Sequence, residues 1–178
     1  MSRLRGVSPD CAEPAAITAA IRARRGGKLL NLDRTLLLSA PLASAWNDYL
    51  GAIRGALSVD PKLREIAICG VAILNGAEYE FQQHEPEFLR AGGTLPAAQR
   101  LREFATAADY PEIFNAAERA VIALTTQMTT NIEVDDETWQ HFKAALPDSR
   151  IQVELVGIIA TYNMVSRFLI ACRIEPEI

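Results

Sequence analysis

Leu63-Arg-Glu-Ile-Ala-Ile-Cys-Gly-Val-Ala-Ile-Leu-Asn-Gly-Ala-Glu-Tyr-Glu-Phe-Gln-Gln-His84 is the stretch on which the fold turns. Just upstream, Asp60-Pro61 has the form of a helix start: a capping carboxylate, then a proline whose missing N–H costs nothing in the first turn. The helix that follows places Ile66, Ile68, Val71, Ile73 and Leu74 on every face. A helix without a polar side belongs at the centre of a fold. Asn75-Gly76 breaks it, and a second helix is expected from about Ala77. Pro86 should end or kink that second helix, because its ring removes a hydrogen bond and crowds the preceding turn. Gly92-Gly93 is a stop.

Outward from this pair the pattern stays helical. Two apolar helical stretches lie between Leu29 and Leu57, separated by Ser39-Ala40-Pro41. Phe114, Ala117, Val121, Leu124 and Met128 form one stripe of a long helix, and Trp139, Phe142 and Leu146 form a shorter one from about Asp135. Ser149 with Gln152 reads as a capping box opening a last helix to about Arg173. On this helix Ile151, Leu155, Ile158, Tyr162, Val165 and Leu169 share a face. No segment sustains the alternation of a strand. The expectation is an all-α protein, a single helical domain over residues 28–178 behind an N-terminal extension, 1–27.

Composition narrows the function. The 178 residues carry 18 Lys and Arg against 22 Asp and Glu, a formal charge of −4, which argues against a nucleic-acid partner. No uncharged stretch exceeds thirteen residues, as in Thr35–Asn47, whereas a membrane span needs about 20 apolar residues. The N-terminus lacks the apolar core of a signal peptide, so a soluble, cytoplasmic protein is expected. Cys11, Cys69 and Cys172 are scattered, which fits neither a disulfide framework nor a zinc knuckle. Cys69 and Cys172 lie in apolar runs and read as small core residues, not activated thiols.

The candidates for chemistry lie in the opening stretch. Ala77, Phe81, His84 and Phe88 fall on one helical face, so the histidine shares its side with two phenylalanines and should be buried. A core histidine bonded to backbone satisfies the same pattern. Glu80 stands one turn before His84, which suits either a surface ion pair or a carboxylate that orients an acid/base imidazole. Glu65 leaves an almost wholly apolar helix, and a buried carboxylate needs a partner. By contrast, His141 projects away from the Trp139–Phe142 stripe and reads as an exposed residue.

The spacing Glu65, 77, 80, His84 resembles the active-site pattern of the alkylhydroperoxidase D-like and carboxymuconolactone decarboxylase superfamily. There a glutamate, a Cys-x-x-Cys at a helix N-terminus and a histidine make up the thiol-peroxidase site. This chain has Ala77 and Glu80 where that branch has its two cysteines, so it resembles the cysteine-free branch. Similar segments are Asn31-Leu-Asp-Arg-Thr-Leu-Leu through Trp46-Asn47, Tyr162-Asn-Met-Val-Ser-Arg-Phe-Leu169 and Ile174-Glu-Pro-Glu177.

The resemblance implies an alkylhydroperoxidase D-like helical fold and a homo-oligomer, a trimer or a multiple of one. It also implies a lyase or isomerase without cofactor, acting on a small organic acid or lactone. Peroxide reduction by a thiol pair is not expected, since neither a carboxylate nor a methyl group can form the intermediate disulfide. In this reading His84 is the principal acid/base, Glu80 its orienting partner or second acid, and Glu65 a relay. Trp46, Tyr79, Phe81, Asn163 and Arg167 are the expected substrate-binding residues, with Arg167 suited to a substrate carboxylate. A metal site built from Glu65, Glu80 and His84, and a ligand-binding protein without catalysis, are the competing readings.

Overall fold

The computed structural model describes residues 2–177. Its regular elements are helices, with no strand among the described residues. The chain forms two compact units, one made of residues 1–57 with 169–178, the other of Ser58–Phe168.

The first unit holds α1 (Ala15–Arg24), α2 (Asn31–Leu36) and α3 (Ala40–Gly55). Its two ends are stitched to α2. Val7 and Arg34 exchange hydrogen bonds of 3.0 and 2.7 Å, and the Asn31 N–H donates to Glu177 Oε1 at 2.7 Å. Buried Asp33 accepts the Leu30 N–H at 3.0 Å and pairs with Arg25 at 3.2 Å. The segment before residue 28 thus carries a helix and fixed contacts.

The second unit is organised around α4 (Pro61–Asn75), which packs against α5 (Glu78–Arg90), α6 (Leu95–Leu101), a 3-10 turn at Phe104–Asp109 and α7 (Ala116–Thr130). The Asp60 carboxylate caps α4 by accepting the N–H groups of Lys62 and Leu63. Residues Ile66–Ala72 are entirely buried, as an all-round apolar helix requires. Gly76 closes the helix at φ 70°, a conformation that costs glycine little. Gly70 allows a close approach: a Cβ there would stand 2.1 Å from the Phe104 ring.

Several boundaries depart from the sequence reading. Pro86 does not end α5, which continues to Arg90; the carbonyl left without its N–H belongs to Gln82, an exposed residue open to water. Phe114 lies outside α7, whose capping box is Asn115 with Glu118. Leu146 likewise falls just beyond α8 (Asp136–Ala145). At the start of α9 (Ser149–Cys172) the capping carboxylate is Asp148, which accepts the Arg150 N–H at 2.8 Å, while Gln152 turns to the Leu146 carbonyl. Ser149 is therefore the first helical residue rather than the cap.

Helix α9 is long and apolar enough to cross a membrane by length and composition, and half of its apolar window is buried inside the protein. Its buried face also carries bonded polar groups, Gln152, Glu154, Asn163 and Ser166, which marks a core helix.

Candidate active site

Two helices of the second unit bring the first pair together. Glu65 stands one turn into α4, where the helix dives into the core, and His84 sits on the face of α5 that also buries Phe81 and Phe88. His84 Nδ1 lies 2.6 Å from Glu65 Oε2, and the two residues are 5% and 1% exposed. The other oxygen, Oε1, accepts from Arg64 Nε at 3.1 Å. Burial by itself would raise the Glu65 pKa, but the hydrogen bonds and charges of His84 and Arg64 outweigh it and hold the carboxyl below its ordinary range. Glu65 is therefore an anion at neutral pH, and the Nδ1–H donates to it. Tyr162 of α9 meets the imidazole edge-on, 5.1 Å between ring centroids, and fixes its plane.

Glu80 is not the histidine's hydrogen-bond partner. Its Oε1 accepts the Ser166 hydroxyl from α9 at 3.1 Å, and Oε2 is buried with no hydrogen-bond partner. Burial drives this carboxyl well above its ordinary range, the Ser166 hydrogen bond opposing that only in part. The two glutamates thus have opposite environments, one bonded at both oxygens with its pKa lowered, the other bonded at one oxygen with its pKa raised. Such a divergence is how neighbouring carboxyl groups come to play different parts.

The expected substrate residues are less uniform. Trp46 belongs to α3 of the first unit and Tyr79 to the first turn of α5, both buried. Phe81 is fully buried with the Arg102 guanidinium 4.3 Å above its ring. Asn163 is tied to Asn75 at 3.0 Å and Thr129 at 3.1 Å. Arg167 Nη1 donates to the carbonyl and the side chain of Asn163, both at 2.9 Å, so part of the fork expected to hold a substrate carboxylate is occupied on its own helix. Among the described residues no three His, Cys, Asp or Glu side chains are grouped so as to hold a metal ion. His141 is exposed, as its position on α8 implied.

Sequence reasoning passed over Ser166. The signal was available: a hydroxyl at the i+4 position from Tyr162, on the buried face of an apolar helix, has to find a partner.

Residues 40–127, which contain Glu65, Glu80 and His84, match the model of the carboxymuconolactone decarboxylase family. The chain belongs to this superfamily. The fold agrees. A peroxidase-related protein from Silicibacter sp. TM1040 is similar with a TM-score of 0.82 at 14% identity, covering 99% of this chain and 92% of that one. A cysteine-to-alanine variant of the debrominase Bmp8, solved in complex with 2,3,4-tribromopyrrole, is similar with a TM-score of 0.78 at 20% identity, covering 99% and 94%. No curated protein matches the sequence. In this carboxymuconolactone decarboxylase-like chain the positions of the thiol pair hold Ala77 and Glu80, and the three cysteines, Cys11, Cys69 and Cys172, are all unpaired. Cys69 lies one turn from Glu65, fully buried; burial first, and then the charges of Glu65 and Glu85, push its thiol well above the ordinary range.

Proposed function

We propose that this protein is a carboxymuconolactone decarboxylase-like lyase or isomerase that moves protons on a small organic acid or lactone without a cofactor. The observation that carries this reading is the buried 2.6 Å contact between Glu65 and His84; Glu80, on the same helix as His84, has its carboxyl pushed well above the ordinary range by burial. When a β-keto acid or lactone acid loses carbon dioxide, the electron pair of the broken carbon–carbon bond passes into the carbonyl group and leaves an enolate. His84 delivers a proton to the enolate carbon, and Glu65 stabilises the imidazolium before that transfer. Glu80 is the second acid. Tyr79 and Asn163 are the substrate residues of this proposal, with 28–178 as the working domain after the 1–27 extension. A homo-oligomer, a trimer or a multiple of one, and a cytoplasmic location complete it.

Turnover over a panel of lactones and β-keto acids tests the proposal, with small bromopyrroles included because one structural neighbour is a debrominase. General acid/base catalysis contributes about 10²–10⁴-fold. His84→Ala should therefore lose at least ~10²-fold in kcat with its helical circular dichroism unchanged. Activity within a few-fold of the parent overturns the proposal.

A further inference from the structure

The first unit contains a solvent-open cavity of about 980 Å³, walled by the arm of residues 2–9, by residues of the stretch 29–35 and by residues 175–177. That volume is within the range of small-molecule pockets, about 300–1,000 Å³. The arm is held across it at two points. The Arg3 N–H donates to the Cys172 carbonyl at 2.9 Å, and Val7 is bonded in both directions to Arg34, at 3.0 and 2.7 Å. Gly6 lies so close to Arg34 that a Cβ there would stand 2.9 Å from its backbone. Between these anchors Leu4 and Arg5 are left to line the cavity. Leu4, Pro9, Leu29 and Pro176 supply apolar wall, and Arg5 and Arg34 supply two guanidinium groups.

The two cations are not compensated. Arg34 is half-buried and uses Nε on the Val7 carbonyl and Nη1 on the Asn31 side chain, at 2.7 and 2.8 Å, which leaves Nη2 without an acceptor. Among the described residues neither Arg5 nor Arg34 forms an ion pair. The carboxylates that share the cavity, Glu175 and Glu177, are already engaged, Glu177 with the Asn31 N–H at 2.7 Å. A half-buried cation without a counter-ion is costly, and an anionic ligand removes that cost. We propose that this cavity binds a small organic carboxylate with an apolar body, its head held by Arg5 and Nη2 of Arg34 and its body laid against the apolar wall. Guanidinium donors match a carboxylate in geometry and charge. Glu175 and Glu177 repel a doubly charged phosphate head more strongly than a singly charged one, which favours the carboxylate. None of Glu65, Glu80 and His84 lines the cavity, so the site stands independently of the proton-transfer reading.

The test is fluorescence titration of the full chain with anilinonaphthalene sulfonate, a singly charged anion on an apolar body, beside phenylnaphthylamine, the same body without the charge. The sulfonate should saturate at one dye per chain and bind about tenfold more tightly than the neutral dye. Arg5 is exposed and has no bond to lose, so Arg5→Ala should keep the helical circular dichroism. It should weaken the sulfonate about tenfold and leave the neutral dye nearly unchanged. Lys143→Ala, which removes an exposed cation from α8, should alter neither. Octanoate should displace the sulfonate, and octyl phosphate should do so less well. No saturable binding, or equal affinity for the two dyes, overturns anion recognition. Full affinity in Arg5→Ala overturns the site, and octyl phosphate competing as well as octanoate overturns the carboxylate as its head group. Turnover enters none of these readouts, so the inference and the catalytic proposal fail separately.

Discussion

Glu65 on α4 and His84 on α5 share a 2.6 Å hydrogen bond between two buried side chains, across a break of two residues, the left-handed Gly76 and Ala77. Nineteen positions apart in sequence, they meet only because the turn reverses the chain. Removing the carboxylate leaves a buried imidazole with a donor and no acceptor at Nδ1. Glu65→Ala should cost about 1.5–3 kcal/mol, the range for hydrogen bonds to charged groups, read as a lower midpoint in denaturant. The pH dependence has a defined sign. A carboxyl held below its unfolded value contributes stability that is present above that value and is lost as pH falls through the folded one. The wild type should therefore lose stability on the acid side of the carboxylate range, and Glu65→Ala should flatten that limb.

Glu80 acts in the opposite direction. Its folded pKa lies above the unfolded value because burial disfavours the anion, so the folded state keeps a proton that the unfolded state gives up. Its contribution is fully present below the unfolded value and is lost as pH rises toward the folded one. Glu80→Gln, which keeps an acceptor for Ser166 and cannot ionise, removes that slope. The stability of the variant relative to wild type should thus increase from acid to alkaline pH, measured by denaturant midpoints across the range. A difference independent of pH would show Glu80 ionised in the native state.

Much of this arrangement was legible before any coordinates. The Asp60-Pro61 start, the Asn75-Gly76 break and the face shared by Ala77, Phe81, His84 and Phe88 are local signals, set by capping and by helical period, and each appears in the structure. Of the two outcomes expected at Pro86, the end of the helix fails because a proline mid-helix costs least where the orphaned carbonyl is exposed, as at Gln82, and exposure is a tertiary property. The pairing within the site misled for a similar reason. Helix spacing placed Glu80 next to His84, but helical neighbours lie side by side on a surface, whereas contacts in a core are made across helices. Glu65 and Ser166, from α4 and α9, took those positions.

Gly70 and Gly157 are both helical glycines, and replacing each by alanine should have opposite effects. At Gly70 the new methyl meets the Phe104 ring at 2.1 Å, and that ring is buried in the core. Overpacking of this kind costs about 1–3 kcal/mol. At Gly157, within α9, a Cβ meets nothing within 4 Å, so only the gain in helix propensity remains, about 0.5–1 kcal/mol of stabilisation. Thermal or denaturant midpoints of the two variants should move to opposite sides of the wild type. Movement in the same direction would contradict the tight packing of α4 against the 3-10 turn.

Cys69 sits one turn from Glu65, where a thiol could be mistaken for a nucleophile, and its environment argues against that role. A reactive cysteine needs its thiolate stabilised by a cation, a histidine or a helix N-terminus, with access for the reagent. Cys69 is fully buried in the middle of α4, and burial followed by the charges of Glu65 and Glu85 holds the proton on sulfur, with Arg102 opposing only weakly. Cys11 and Cys172 are partly exposed. Alkylation of the native protein at neutral pH, mapped by peptide mass spectrometry, should modify Cys11 and Cys172 first and reach Cys69 only in denaturant. Peroxide should correspondingly be consumed no faster by the wild type than by Cys69→Ala. Rapid native alkylation of Cys69, with peroxide loss that the substitution abolishes, would place a working thiol in the site and require sulfur chemistry in place of proton transfer.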